Sequence, residues 1–278
     1  MLKIKNQELR ILFFGDVVGR PGRKALAKVM PGIKRKYNPD LVIANVENSA
    51  HGKGVTENVL NEIKDSGVDI FTSGEHIYDK IVEGNEEILF KNFPTLLKPA
   101  NFLPAGRQVL QDRGEVLVET AKGKVLVVNL IGQVFIRFEN LSPWTMLDEI
   151  LERYENEDLS AIIVDFHAEA TSEKAAFGQH FDGKISALLG THTHVPTADA
   201  QILSRGTAYV TDVGMNGPTP SVLGMKSEVS IQRFLTGEML PYEIAETEQA
   251  AVNYVIIDID PTSKKAVNIK HEHKIINI

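Results

Sequence analysis

Short apolar runs separated by amphipathic stretches set narrow limits on what this chain can fold into. Runs at 9–14, 41–45, 69–72, 116–119, 125–130, 161–165, 187–189, 207–211 and 254–259 each have the length of a strand, and over most of the first two hundred residues they alternate with segments of helical period. That alternation predicts an α/β fold whose sheets contain parallel pairs, because strands joined through helices run in one direction. A first helix is expected after Pro21 and is expected to break near Pro31, where proline removes a backbone donor; others are expected at 56–65, 142–154 and 171–179. The run ETAKGK, between the fourth and fifth strands, reads as a hairpin connection through Gly123. No repeat or convincing linker interrupts the chain, so residues 1–278 are read as one domain, with the Pro-, Gly- and Asn-rich stretch 85–113 as an irregular lid or small lobe.

Several of these strands end in polar clusters, and open α/β sheets bind ligands outside the carboxyl ends of their strands. The first runs into Gly15-Asp16-Val17-Val18-Gly19, the second delivers Glu47 and Asn48, and the third ends in Gly74-Glu75-His76 followed by Asp79. On the sixth, Asp165 and His167 share a face while Phe166 points to the other. In ALLGTHTHVPTAD, residues 187–199, an apolar run stops at His192 and His194, which on an extended chain point to the same side; Gly190 permits close backbone approach and Pro196 ends regular pairing.

Any one of these groups alone could form a turn or a cap. Their recurrence at five strand ends points instead to a shared site. Asp16, Glu47, Asn48, Glu75, His167, His192 and His194 make seven candidate ligands, more than one ion of four to six coordination needs, so the count favours two ions sharing a bridge. Glu47, central in the order, is the expected bridge. Two ions about 3.5–4 Å apart suit phosphoryl chemistry, since they polarise its oxygens and generate a hydroxide for in-line attack.

The remaining polar groups are assigned to structure. His51 sits in a glycine-rich loop, His180 follows a helix, and His271 and His273 alternate on a terminal strand without neighbouring acids. Arg20 and Arg23 are read as solvated, and Glu173 and Lys174, in the first turn of the helix after Thr171, as capping and surface residues. The stretch 211–225, TDVGMNGPTPSVLGM, is expected either to close over the site or to pack as an ordered surface loop.

Composition narrows the chemistry further. With no cysteine, disulfides, thiolate nucleophiles and thiolate metal sites are excluded, which leaves oxygen and imidazole ligands. A net charge of −7 with no block of Lys or Arg gives no footprint for long nucleic acid as a partner. No signal-like opening and no uncharged run of roughly 18 residues is present, so no membrane partner is expected and the cytoplasm is the expected location.

Taken in order, GD, an acidic motif, G-x-H, a lone His and G-x-H-x-H, the constellation resembles the calcineurin-like metallophosphoesterases, from Leu12 to about Met225. The strings GDVVGRPGR, ANVENSAHGKG, DFHAEATSEK, GTHTHVPTAD and TDVGMNGP are most similar to the YmdB-like bacterial phosphodiesterases. The resemblance implies a four-layer α/β/β/α sandwich with mixed sheets, two divalent or trivalent transition-metal ions (iron or manganese), hydrolysis of small phosphodiesters with cyclic nucleotides as proposed substrates, and self-association into a homo-oligomer. Carried over by motif, Asp16, Glu47, Asn48 and His194 would hold one ion. Glu47 as bridge, Glu75, His167 and His192 would hold the other, and His76 would donate a proton to the leaving alkoxide. Alternatives are a phosphomonoesterase on the same metals and a weakly active metal-binding regulatory protein.

Two positions depart from the superfamily pattern. D-x-H is D-x-V at Asp16 and Val18, with Asn48 expected to fill the missing place. G-N-H is G-E-H, so Glu75 puts a longer, anionic ligand where a neutral amide is usual and should favour a harder or more highly charged ion.

Overall fold

In the computed structural model, which describes residues 8–103 and 113–278, the apolar runs pair as two mixed sheets. The chain begins β1 (Leu9–Phe14), α1 (Gly19–Tyr37), β2 (Leu41–Asn45), α2 (Glu57–Asp65), β3 (Ile70–Thr72), α3 (Glu86–Asn92), β4 (Glu115–Thr120), β5 (Gly123–Ile131) and α4 (Pro143–Arg153). It continues β6 (Leu159–His167), α5 (Thr171–Phe181), β7 (Ala187–Thr191), β8 (Gln201–Ile202), β9 (Ala208–Val210), β10 (Gly217–Thr219), α6 (Ser227–Thr236), β11 (Gln249–Asp260) and β12 (Lys265–Asn277). One sheet runs β10-β11-β1-β2-β3, with β12 also on β11; the other runs β4-β5-β6-β7-β9-β8. The pairs β1–β2, β2–β3, β5–β6 and β6–β7 are parallel, as crossover helices require, and β7–β9 is parallel through a connection that carries β8. The hairpin expected at Gly123 joins β4 to β5.

Side-chain alternation along the strands decides the layers. Leu9, Ile11 and Phe13 of β1 pack with Val127 of β5, Ile163 of β6 and Leu189 of β7, so they face the opposite sheet. Leu12 and Phe14 turn the other way, onto Leu26 and Met30 of α1. On the second sheet, Leu126, Val128, Ile162, Val164 and Phe166 face outward against Leu147 and Ile150 of α4 and Phe177 and Phe181 of α5. The result is the four-layer α/β/β/α sandwich. Strands covered on both faces are apolar throughout, which is why they stand out in the sequence as unbroken runs.

Local signals set the helix starts. Thr56 caps α2 by accepting from Val59 N, and Ser142 caps α4 by accepting from Thr145 N, with Pro143 in the first turn. The break expected near Pro31 does not occur, and α1 runs through it to Tyr37. Pro31 and Ala27, whose carbonyl loses its partner, both lie on the exposed side of the helix, so water can replace the missing bond.

Of the stretch 85–113, α3 forms part and residues 104–112 lie outside the described residues. Between them the chain stitches the two sheets together: Phe71 N donates to Thr95 O and Leu97 N to Phe71 O on one side, and Ala100 N donates to Asn129 O on the other. No described helix is long and apolar enough to cross a membrane.

Candidate metal centre

The parallel strands bring five carboxyl ends, those of β1, β2 and β3 from one sheet and β6 and β7 from the other, to one edge of the sandwich. Buried Asp165 ties the ends of β2, β3 and β7 to its own strand, β6. Its Oδ2 accepts from Asn45 Nδ2 at 3.0 Å and from Thr72 Oγ1, and its Oδ1 accepts from Thr191 Oγ1 at 2.7 Å. Burial pushes the Asp165 carboxyl up to about 6, against the pull of His167 and these three bonds.

The same network orients His167. Thr191 spends its single hydroxyl hydrogen on Asp165, so the 2.9 Å contact between Thr191 Oγ1 and His167 Nδ1 makes the imidazole the donor. When the ring is neutral, Nε2 then holds the lone pair. That nitrogen stands 3.1 Å from Glu47 Oε1, 3.1 Å from Glu75 Oε2 and 3.0 Å from His192 Nδ1. Glu47, Glu75, His167 and His192 each offer one ligand atom, all within 4.8 Å of one another.

Asp16, Asn48 and His194 adjoin this group. His194 Nε2 lies 3.2 Å from Asn48 Nδ2 and 3.9 Å from Asp16 Oδ1, and Asn48 Nδ2 lies 3.1 Å from Glu47 Oε1. His194 Nδ1 is 3.1 Å from Leu223 O, a group that only accepts, so the proton sits on Nδ1 and a neutral ring turns its Nε2 lone pair towards Asp16. All seven expected groups therefore meet in one place. His76 is at the rim, with 38% of its side chain exposed; its backbone N donates to Glu47 Oε2 at 3.2 Å, and its Nδ1 is 3.1 Å from Asp79 Oδ2. Burial disfavours its charge, but the bond to Asp79 and the nearby carboxylates win and hold its pKa above the usual 6.5.

Backbone geometry explains the convergence differently from the sequence expectation. His192 and His194 are not on an extended chain; their φ angles are 99° and 66°. Two left-handed kinks, each costing on the order of 1–3 kcal/mol, aim the rings. The surrounding bonds that hold them include His192 N to Asp16 Oδ2 at 3.2 Å and Met215 N to His194 O at 3.1 Å. Gly190 does allow the close approach: a Cβ there would overlap Thr211 O.

Glu173 and Lys174 were expected at the surface, and both are buried. The first turn of α5 has no side-chain cap and packs against the sheet edge instead. Glu173 accepts from Gln133 N and Val134 N, while Lys174 Nζ donates to Thr191 O at 2.8 Å and to Asp212 Oδ2 at 2.9 Å. Asp212 was missed although it follows β9 as Asp16 follows β1. Glu169, whose Oε2 is 3.1 Å from His192 Nε2, carries no sequence signal beyond its proximity to His167.

The lesser candidates have structural roles. Arg23 binds Glu62 Oε2 and Ser49 O, bracing the loop after Glu47. His271 sits between the carbonyls of Thr197 and Val213, His273 meets Asn253, and His180 packs edge-on against Trp144. The first half of 211–225 packs behind Asp16, with Asn216 N donating to Asp16 O at 2.7 Å and Val18 N to Asn216 O at 2.8 Å.

The donor set fits metal ions. Burial opposes the charge on Glu47, but His167 outweighs it and holds the carboxyl well below the usual range; in Glu75, burial and Glu47 are likewise overcome by His167 and His192. His167, penalised by burial, is nevertheless raised well above 6.5 by the two glutamates. The two carboxylates are buried anions whose charge is matched by His167 when it is protonated, or by a metal ion when its Nε2 is free to coordinate. Asp16 Oδ1 is buried and makes no hydrogen bond among the described residues, a cost of about 1–3 kcal/mol that a coordinated ion would remove.

Comparison with known proteins adds the following. A sequence model of the family described as "YmdB-like protein" matches residues 12–271. The 2′,3′-cyclic-nucleotide 2′-phosphodiesterase of Bacillus subtilis (strain 168) is 44% identical over 264 residues, covering 94% of this chain and 96% of that protein. A crystal structure described as a novel phosphatase of Mycoplasma pneumoniae superposes with a TM-score of 0.89 at 34% identity, over 98% of this chain and 95% of the other. That of a hypothetical protein from Thermus thermophilus gives 0.84 at 35% identity, over 95% and 98%.

Proposed function

The chain belongs to the YmdB-like protein family, and from that membership and the buried carboxylate–histidine cluster we propose that it is a metal-dependent phosphodiesterase acting on small phosphodiesters, cyclic nucleotides among them. The observation that carries this reading is the meeting of Glu47, Glu75, His167 and His192 with one ligand atom each inside a 4.8 Å span. Glu75, His167 and His192 would hold one ion and Asp16, Asn48 and His194 the other, with Glu47 serving both and iron or manganese in both places. Such ions supply Lewis acidity that polarises phosphoryl oxygens and lowers the pKa of water.

The chain's own residues do the rest. The Asp165–Thr191 pair keeps His167 Nε2 free for coordination, and Leu223 O does the same for His194 Nε2. Asp79, an acceptor, fixes His76 with Nδ1–H towards it and leaves Nε2–H to protonate the departing alkoxide. The bond from His76 N to Glu47 Oε2 couples the position of this acid to the bridge.

Leaving groups test the assignment. His76→Ala should cost about 100-fold or more in kcat on a 2′,3′-cyclic nucleotide, whose alkoxide needs a proton, and less than about tenfold on bis(p-nitrophenyl) phosphate, whose phenolate does not. Equal losses on both would remove His76 as the acid. The description of the Mycoplasma pneumoniae relative as a phosphatase favours a monoesterase as second reading, and a faster rate on p-nitrophenyl phosphate than on the diester would select it.

A further inference from the structure

We propose that Lys174 and Asp212 are positioning residues for His192, clamping the main chain on both sides of it so that its ring meets Glu47, Glu75 and His167. The inference rests on reading that cluster as a metal site. The pair is deeply buried, at 1% and 0% exposure. Lys174 Nζ donates to Thr191 O at 2.8 Å, on the residue before His192. Asp212 Oδ2 accepts from Thr193 N at 3.0 Å, on the residue after it, and the two side chains bind each other at 2.9 Å. Asp212 Oδ1 accepts from Gly214 N at 2.8 Å, which anchors the clamp to the loop behind Asp16.

What the clamp holds is a conformation that histidine does not favour. With φ at 99°, His192 gains by relaxing to ordinary backbone as soon as its flanking peptides are freed, and the relaxation rotates its ring away from His167. A buried ion pair is weak evidence for a stability role, because well-packed apolar residues often replace one without loss. Here both charged groups are used on backbone atoms adjacent to a candidate ligand, which an apolar pair of the same volume cannot reproduce.

Manganese titration into metal-free protein, followed calorimetrically, tests this alongside thermal unfolding of the same metal-free samples. Lys174→Met and Asp212→Asn should each weaken binding of one of two ions by about 10–100-fold, the range for partners that orient a ligand. Each should also lower the unfolding midpoint, because each strands a buried charge or its partner. The double variant Lys174→Met/Asp212→Leu separates the two roles: its midpoint should rise above those of the single variants, while the stranded Thr193 N and Gly214 N keep it below wild type, and its manganese affinity should stay low. A double variant with wild-type affinity overturns the inference, as do single variants that bind manganese normally. His192→Ala serves as control. If it weakens manganese binding while the clamp variants do not, only the positioning role fails; if it binds manganese as wild type does, His192 is no ligand and the inference fails alone; if wild type takes up no manganese, the metal reading fails and the inference with it.

Discussion

Glu47→Gln should lower kcat/KM for phosphodiesters by on the order of 10³-fold or more and strip the protein of bound metal. Glu47 is 1% exposed and engaged at both oxygens: Oε1 accepts from Asn48 Nδ2 and faces His167 Nε2, and Oε2 accepts from His76 N. Glutamine has the same shape but carries two hydrogens on one terminal atom. Whichever way the amide is turned, its NH2 meets a donor, the Asn48 amide on one side or the His76 N–H on the other. The charge that holds His167 is also lost. Orienting partners cost about 10–100-fold and a single preorganised donor about 10²–10³, so a group shared between two ions stands above both. Steady-state kinetics with elemental analysis of the purified variant measures it. A variant that keeps two ions and a near-normal rate would show that Glu47 is not the bridge.

Gly74→Ala should reduce activity by about 100-fold or more while leaving the fold in place. A Cβ on Gly74 overlaps Glu47 Oε2 and His167 Nε2, so the added methyl occupies the space between two proposed ligands. Its backbone has no easy retreat. Ser73 is fixed from both ends of its peptide unit by Asn129, with Ser73 N donating at 2.8 Å to Asn129 Oδ1 and Asn129 Nδ2 donating at 2.9 Å to Ser73 O. The ligands must therefore move, and a displacement of about 1 Å in a catalytic constellation is enough for a 10²-fold loss. Gly74 is not in the left-handed region, so alanine brings no backbone strain, and circular dichroism should match wild type. Normal metal content and rate in this variant would mean that Gly74 does not line the site.

The layered fold was legible because strands buried on both faces betray themselves as continuous apolar runs, and β1 and β2 appear at the limits read from sequence. The candidate site was legible for a related reason: parallel strands deliver their carboxyl ends to one edge, so polar residues that end successive strands meet in space. What escaped depends on contacts that the local sequence does not encode. Pro31 looked like a helix end, yet that side of α1 is exposed, so solvent can reach the freed carbonyl. Lys174 looked like a surface residue of a first turn, and only the approach of the Asp212 loop shows where its charge is used. His192 and His194 were expected to converge through extended backbone, whereas left-handed kinks, invisible in sequence without a glycine to mark them, do it. Strand β10 lies in a stretch where glycine and proline obscure any period, and α6 buries only Ser230, so it has no apolar face packed on the core to mark it.

Glu75 is one of the two positions where the chain leaves the superfamily pattern, and its carboxylate lies 3.1 Å from His167 Nε2 and 3.6 Å from His192 Nδ1. An added anion at that position raises the demand for positive charge at one ion without removing a donor. The measurement that bears most directly on the whole account is a transition-metal count on protein purified without chelator and reconstituted with manganese or iron, combined with anomalous scattering from its crystals. Two ions per chain, with peaks on either side of the Glu47 carboxylate, are predicted; fewer than one ion per chain after reconstitution would contradict a two-metal phosphodiesterase.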